Sequence, residues 1–157
     1  MKVKYINPFI TATQFVFKTM LFIDVKLNKP IFKTEKKTSG DVTGIMGLVG
    51  DKKGTITISF SREGAMFVYQ TLFGDECLSV TPDVIDAIGE LTNIISGQSR
   101  KELEKVGINL KASIPMVVVG KEVEMNFITT LPIVQLPFTF KLKNGEKEIM
   151  YLGISFE

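Results

Sequence analysis

The stretch T-P-D-V-I-D-A-I-G-E-L-T-N-I-I-S-G, residues 81–97, limits what this chain can fold into more than any other. Thr81 can cap a helix, and Pro82 suits its first turn. Val84, Ile88, Leu91 and Ile95 then recur at helical spacing, and the pattern runs to about Val106, where Gly107 stops it. Asp83 and Asp86 stand near the start and Arg100, Lys101 and Lys105 near the end, an order that complements the helix dipole. A helix of this length has to bury its apolar stripe against another layer.

The flanking segments supply that layer. V-T-G-I-M-G-L-V and G-T-I-T-I-S-F are strand-like runs joined by G-D-K-K, and they predict a hairpin. The run is not a phosphate loop: it lacks G-x-x-x-x-G-K-[ST] and feeds a strand instead of a helix. A second helix follows over residues 61–73. Ser61 is its cap, Ala65, Val68 and Leu72 form its stripe, and Gly74 ends it. After Gly107 the strand pattern returns. I-P-M-V-V-V and V-E-M-N-F-I flank G-K-E, and P-I-V-Q-L-P-F-T-F-K-L and K-E-I-M-Y-L-G-I-S-F flank K-N-G-E. Val, Ile, Phe and Thr dominate these runs, and tight turns imply antiparallel neighbours.

Ahead of the first hairpin, Asn7-Pro8 reads as a helix start. Phe9, Ala12, Thr13, Val16, Phe17, Met20 and Ile23 share one face, with Thr11, Gln14 and Lys18 opposite. Phe15 and Phe22 point toward the polar side. Other parts of the fold are expected to cover them, a subunit contact being the alternative. The lysine-rich V-K-L-N-K-P-I-F-K-T-E-K-K-T-S-G reads as an edge strand guarded against aggregation, rather than as a basic groove. The order helix, strands, two helices, strands predicts an α+β fold, with a single mostly antiparallel sheet and helices packed on it. No linker divides the 157 residues, so the expectation is one domain, 1–157.

Composition narrows the chemistry. There is no histidine, which excludes the Ser-His-Asp triad, the Cys-His dyad, histidine zinc sites and histidine phosphotransfer. The one cysteine, Cys77, can form neither an internal disulfide nor a thiolate cluster; flanked by Asp75 and Glu76, it is read as passive. A charge of +2 from 19 bases and 17 acids gives no general reason to expect nucleic acid. Gln14 and Lys18 interrupt the apolar N-terminal stretch, and no segment approaches ~20 uninterrupted apolar residues. A soluble, cytoplasmic protein is the expectation.

The long helix has a second stripe. At about 100° per residue, Asp86, Glu90, Asn93 and Gly97 fall within an arc of about 60°, opposite the apolar side. Such a stripe can be an ordinary solvent face. Two features favour function. Asn and mid-helix Gly are poor helix formers, Gly by about 1 kcal/mol each at Gly89 and Gly97. No lysine or arginine between Asp86 and Ser99 pairs with the acids. Glycines beside Glu90 and Asn93 would let another surface approach.

The pattern D-x-x-x-E-x-x-N-x-x-x-G, complete at Asp86, Glu90, Asn93 and Gly97, resembles the signature of the CheC/CheX/FliY phosphatases of bacterial chemotaxis. T-I-T-I-S-F-S, the helix after it, I-G-E-L-T-N-I-I-S-G and I-P-M-V-V-V-G come in the family's order. CheC proteins generally carry two copies of the E-x-x-N pair, and this chain has one, as in the CheX type. The resemblance implies hydrolysis of the aspartyl phosphate on a phosphorylated CheY-like receiver domain, and a homodimer. It implies that Glu90 pairs with the receiver's lysine and that Asn93 orients the attacking water. At the partner-binding surface, Asp86 would contact the partner or support Glu90 and Gly97 would give clearance; the divalent cation would belong to the receiver, with no cofactor of this chain's own. Two other readings stand beside it. The same surface could bind a receiver or a flagellar switch component without turnover, or Asp86 and Glu90 could serve as paired carboxylates for a small molecule.

Overall fold

The computed structural model describes residues 3–127 and 130–157. Helix α1 covers Val3–Met20, and two short strands follow, β1 (Lys26–Leu27) and β2 (Ile31–Lys33). Strands β3 (Val42–Gly50) and β4 (Lys53–Phe60) precede helices α2 (Arg62–Phe73) and α3 (Pro82–Glu104). Strands β5 (Leu110–Ala112), β6 (Met116–Val119), β7 (Ile133–Lys141) and β8 (Lys147–Phe156) complete the chain. The eight strands form one sheet in the order β1-β7-β8-β4-β3-β5, with β2 also on β7 and β6 also on β3. Every strand pairing is antiparallel. Helices packed on an antiparallel sheet are the α+β arrangement that the order of elements predicts.

Strict alternation along T-I-T-I-S-F sorts the sheet into two faces. Ile56, Ile58 and Phe60 join Leu136, Phe138, Phe140, Leu152 and Ile154 in one core with Phe9 and Phe17 of α1, Val68 of α2, and Ile88, Leu91 and Ile95 of α3. Phe17 stacks on Phe60 at 6.4 Å and meets Phe140 edge-on at 5.8 Å, which seats α1 on β4 and β7. The opposite face carries Thr43, Thr57, Ser59 and Gln135, all buried. There the Thr43 and Ser59 hydroxyls lie 2.6 Å apart, and Ser39 donates to the Gln135 carbonyl at 3.0 Å. Burial of the Thr43 and Ser59 hydroxyls is tolerated because they partner each other.

The hairpins over β3–β4 and β7–β8 and the Gly74 stop of α2 match the sequence expectations; Gly74 has φ 78, a left-handed cap that suits glycine. The lysine-rich segment forms β1 and β2 on the β7 edge, broken at Pro30. Four expectations need correction. Helix α1 begins at Val3, so Pro8 lies inside it. The carbonyl that Pro8 leaves without a donor belongs to exposed Lys4, where water can serve it. Met20 is not buried on the apolar face but half exposed, because α1 ends there. V-E-M-N-F is not a strand: its backbone bonds to the 36–41 segment, with Thr38 donating to Val123 and Met125 to Lys36, and one bridge joins Lys37 and Glu124. Ile128, the last residue of that expected strand, lies outside the described residues. Finally, none of the described residues covers Phe15 or Phe22, which are 52% and 78% exposed. They lie on the side of α1 away from the core, and a φ of 58 at Phe22 turns the chain just past the helix end.

Candidate functional site

Helix α3 starts where Thr81 accepts a hydrogen bond from the Val84 amide at 3.4 Å, with Pro82 in the first turn. Val84, Ala87, Ile88, Leu91, Ile95 and Leu103 are buried against the sheet and the other helices. Thr92 and Ser99 share that side, and their hydroxyls donate to the carbonyls of Ile88 and Ile95 at 2.7 Å each. The helix therefore buries hydroxyls without leaving these two unmet.

Two glycine contacts set the helix in place. A Cβ built on Gly44 of β3 would lie 2.9 Å from the Thr92 Cβ and nearer still to its hydroxyl. Only glycine lets strand and helix come so close at that crossing. A Cβ on Gly89 would meet the Val117 side chain of β6 at 3.3 Å. Gly89 is buried, so its small size serves packing within the chain and not the approach of another protein. This corrects the expectation that both helix glycines open the outer stripe.

With the helix so held, Asp86, Glu90 and Asn93 are exposed and Gly97 is half-buried on the outer side. Glu90 and Asn93 are one turn apart, a separation that puts their side chains side by side, about 5–6 Å between Cβ atoms. Among the described residues the ion pairs are Glu102 with Lys105 and Asp41 with Lys121, so the carboxylates of Asp86 and Glu90 face water uncompensated. Around Gly97 the one atom within 4 Å of a built Cβ is a guanidinium nitrogen of Arg100, at 3.8 Å. The structure thus brings all four residues of the stripe onto one open surface. Arg100, which the sequence pattern assigned only to the helix dipole, also lies here: it follows Asn93 by two turns on the same stripe.

Clefts of about 570 and 590 Å³ lie elsewhere, one lined by Thr38, Ser61, Glu148 and Tyr151, the other by Asp41, Arg62 and Lys121. Neither includes Asp86 or Glu90. The stripe is an open helix face rather than a pocket, which disfavours paired carboxylates acting on a small molecule.

An open polar surface of this kind suits another protein more than a small molecule. The family model described as chemotaxis phosphatase CheX matches residues 42–139, more than half of the chain and all of the stripe. The chain is 27% identical over 137 residues to the CheY-P phosphatase CheX of Thermotoga maritima, covering 85% of this chain and 88% of that protein. The crystal structure of a chemotaxis protein CheX from Desulfovibrio desulfuricans superposes with a TM-score of 0.84 at 31% identity, covering 99% of this chain and 100% of that one. The fold also matches the Borrelia burgdorferi CheX–CheY–BeF3–Mg2+ complex, with a TM-score of 0.74, 24% identity and 99% of each chain covered. No described helix is long and apolar enough to cross a membrane. By the span of the family match, with the stripe complete inside it, this chain belongs to the CheX family of chemotaxis phosphatases.

Proposed function

We propose that this chain hydrolyses the aspartyl phosphate of a CheY-like receiver domain, using Glu90 and Asn93. The observation that carries the reading is their joint exposure, one turn apart, on a helix anchored along its other side. The activity named for the Thermotoga maritima relative and the pairing of CheX with CheY in the Borrelia burgdorferi complex support the substrate class.

Hydrolysis is an in-line attack of water on phosphorus. The new P–O bond forms as the bond to the aspartyl oxygen breaks, releasing inorganic phosphate and a free carboxylate. Little covalent chemistry is asked of a catalyst here; position and charge do most of the work. The Asn93 carboxamide is too weak a base to take the proton. Its carbonyl can accept a hydrogen bond from the water and hold it in line. Glu90, without a cation of its own, docks to the receiver's lysine and sets Asn93 over the phosphorus. Asp86 and Gly97 flank that contact, Asp86 as a polar partner contact and Gly97 as clearance. The divalent cation comes with the receiver as part of the substrate, and we read the reaction as cytoplasmic. We read the active form as a homodimer: Met116 and Val119 of the outer strand β6, and Ile114 just before it, are exposed apolar residues suited to a second copy.

The test is release of inorganic phosphate from a phosphorylated receiver with this chain at a tenth of the receiver concentration. A catalyst clears the whole pool. A protein that merely binds the receiver leaves most of it phosphorylated, and that outcome would replace catalysis with sequestration.

A further inference from the structure

The polar stripe continues past Gly97. Arg100 follows Asn93 by seven residues, two turns on and within about 20° of the same line. Helical side chains lean toward the N-terminus and lie over the preceding turn. Arg100 does so, bringing one terminal guanidinium nitrogen beside Gly97, 3.8 Å from where a Cβ would stand. That position is one turn from Asn93.

The Arg100 Nε is buried but unspent. It is shielded from water and has no hydrogen-bond partner. No acid pairs with Arg100 among the described residues. Glu102, two residues on and off that face, is engaged by Lys105 at 3.1 Å and by Gln98 at 3.4 Å, and Glu104, one turn on, makes no ion pair with Arg100. A half-buried cation with an unmet donor costs stability, and so points to a partner that arrives from outside.

From this we infer that Arg100 is an anion-contacting residue of the same site, its guanidinium receiving the phosphoryl oxygens of the acyl phosphate while Asn93 holds the water. The inference rests on the proposed function. Its physical basis is charge. Asp86 and Glu90 make the stripe negative where a phosphoryl dianion must approach. A planar guanidinium matches phosphate oxygens in two-point fashion. In a loose transition state, charge spreads over the equatorial oxygens, so a cation there helps beyond ground-state binding.

The test uses the receiver on which the wild-type chain is active, either phosphorylated or charged with beryllofluoride and Mg2+. Arg100→Met keeps the apolar stem and removes the charge; Arg100→Lys keeps the charge and loses the fork. Arg100→Met is expected to lower kcat/KM about tenfold or more and to weaken binding to the beryllofluoride form. Affinity for the uncharged receiver should not change, and Arg100→Lys should recover part of the loss. Unchanged kinetics in Arg100→Met would overturn the inference, as would equal weakening toward both receiver forms, which would mark a general protein contact. Asn93→Ala, measured in parallel, separates the failures: if it keeps full activity the proposed function itself falls, and if it is inactive while Arg100→Met is normal, only the role of Arg100 falls.

Discussion

Gly44 and Thr92 meet where β3 passes beneath α3, so closely that a Cβ on Gly44 would lie 2.9 Å from the Thr92 Cβ. The Thr92 hydroxyl is held by its bond to Ile88 and has no easy escape. This crossing sets how far α3 stands above the sheet and how the helix is rotated about its axis. Asn93 follows Thr92 directly and Glu90 precedes it by two residues, so their outward direction follows from it.

Gly44→Ala should therefore destabilise the fold by overpacking, about 1–3 kcal/mol or more. Denaturant unfolding measures this as a lower midpoint at constant slope. Activity of the folded fraction should fall as well, because a tilted helix displaces Asn93. An unchanged midpoint would show that strand and helix part without cost.

Asn93→Ala should reduce stimulated dephosphorylation by about 10²-fold, the scale of losing position for an attacking group. Binding to the beryllofluoride-charged receiver should survive. Asn93 is exposed, and the change should leave unfolding free energy within about 0.5 kcal/mol of wild type. Stopped-flow decay of the phosphorylated receiver is the measurement, and full activity would remove the water-positioning role.

Glu90→Gln should weaken both affinity and rate while preserving shape. If the carboxylate pairs with a receiver lysine, the wild-type affinity falls with added salt and the variant's falls less steeply. Titrations at low and high salt test this. Parallel salt dependences would mean that Glu90 meets no cation.

Gly97→Ala separates stability from function by sign. Its Cβ would meet only the Arg100 guanidinium, at an ordinary 3.8 Å, so the helix should gain about 1 kcal/mol. The same methyl fills the notch at the docking surface, and affinity for the charged receiver should drop. A variant that is both more stable and equally active would leave Gly97 without a role in docking.

Much of the fold was legible because its signals are short-ranged. Caps at Ser61 and Thr81, the stop at Gly74, and period-two alternation in T-I-T-I-S-F each involve residues within a few positions of one another. Failures came where distant segments compete. V-E-M-N-F has the composition of a strand, yet its backbone is taken by the 36–41 segment, which composition cannot reveal. The exposure of Phe15 and Phe22 was invisible for the same reason, since covering depends on what lies across the surface.

The sequence by itself determined the elements and the stripe: the 3.6-residue period of α3 places Asp86, Glu90, Asn93 and Gly97 on one line whatever the helix packs against. Tertiary structure decided the rest. It turned that line outward through the Gly44–Thr92 crossing, took Gly89 for packing against Val117, and brought Arg100 beside Gly97. Periodicity fixes angles within a helix, but only contacts between remote segments fix the helix against the sheet.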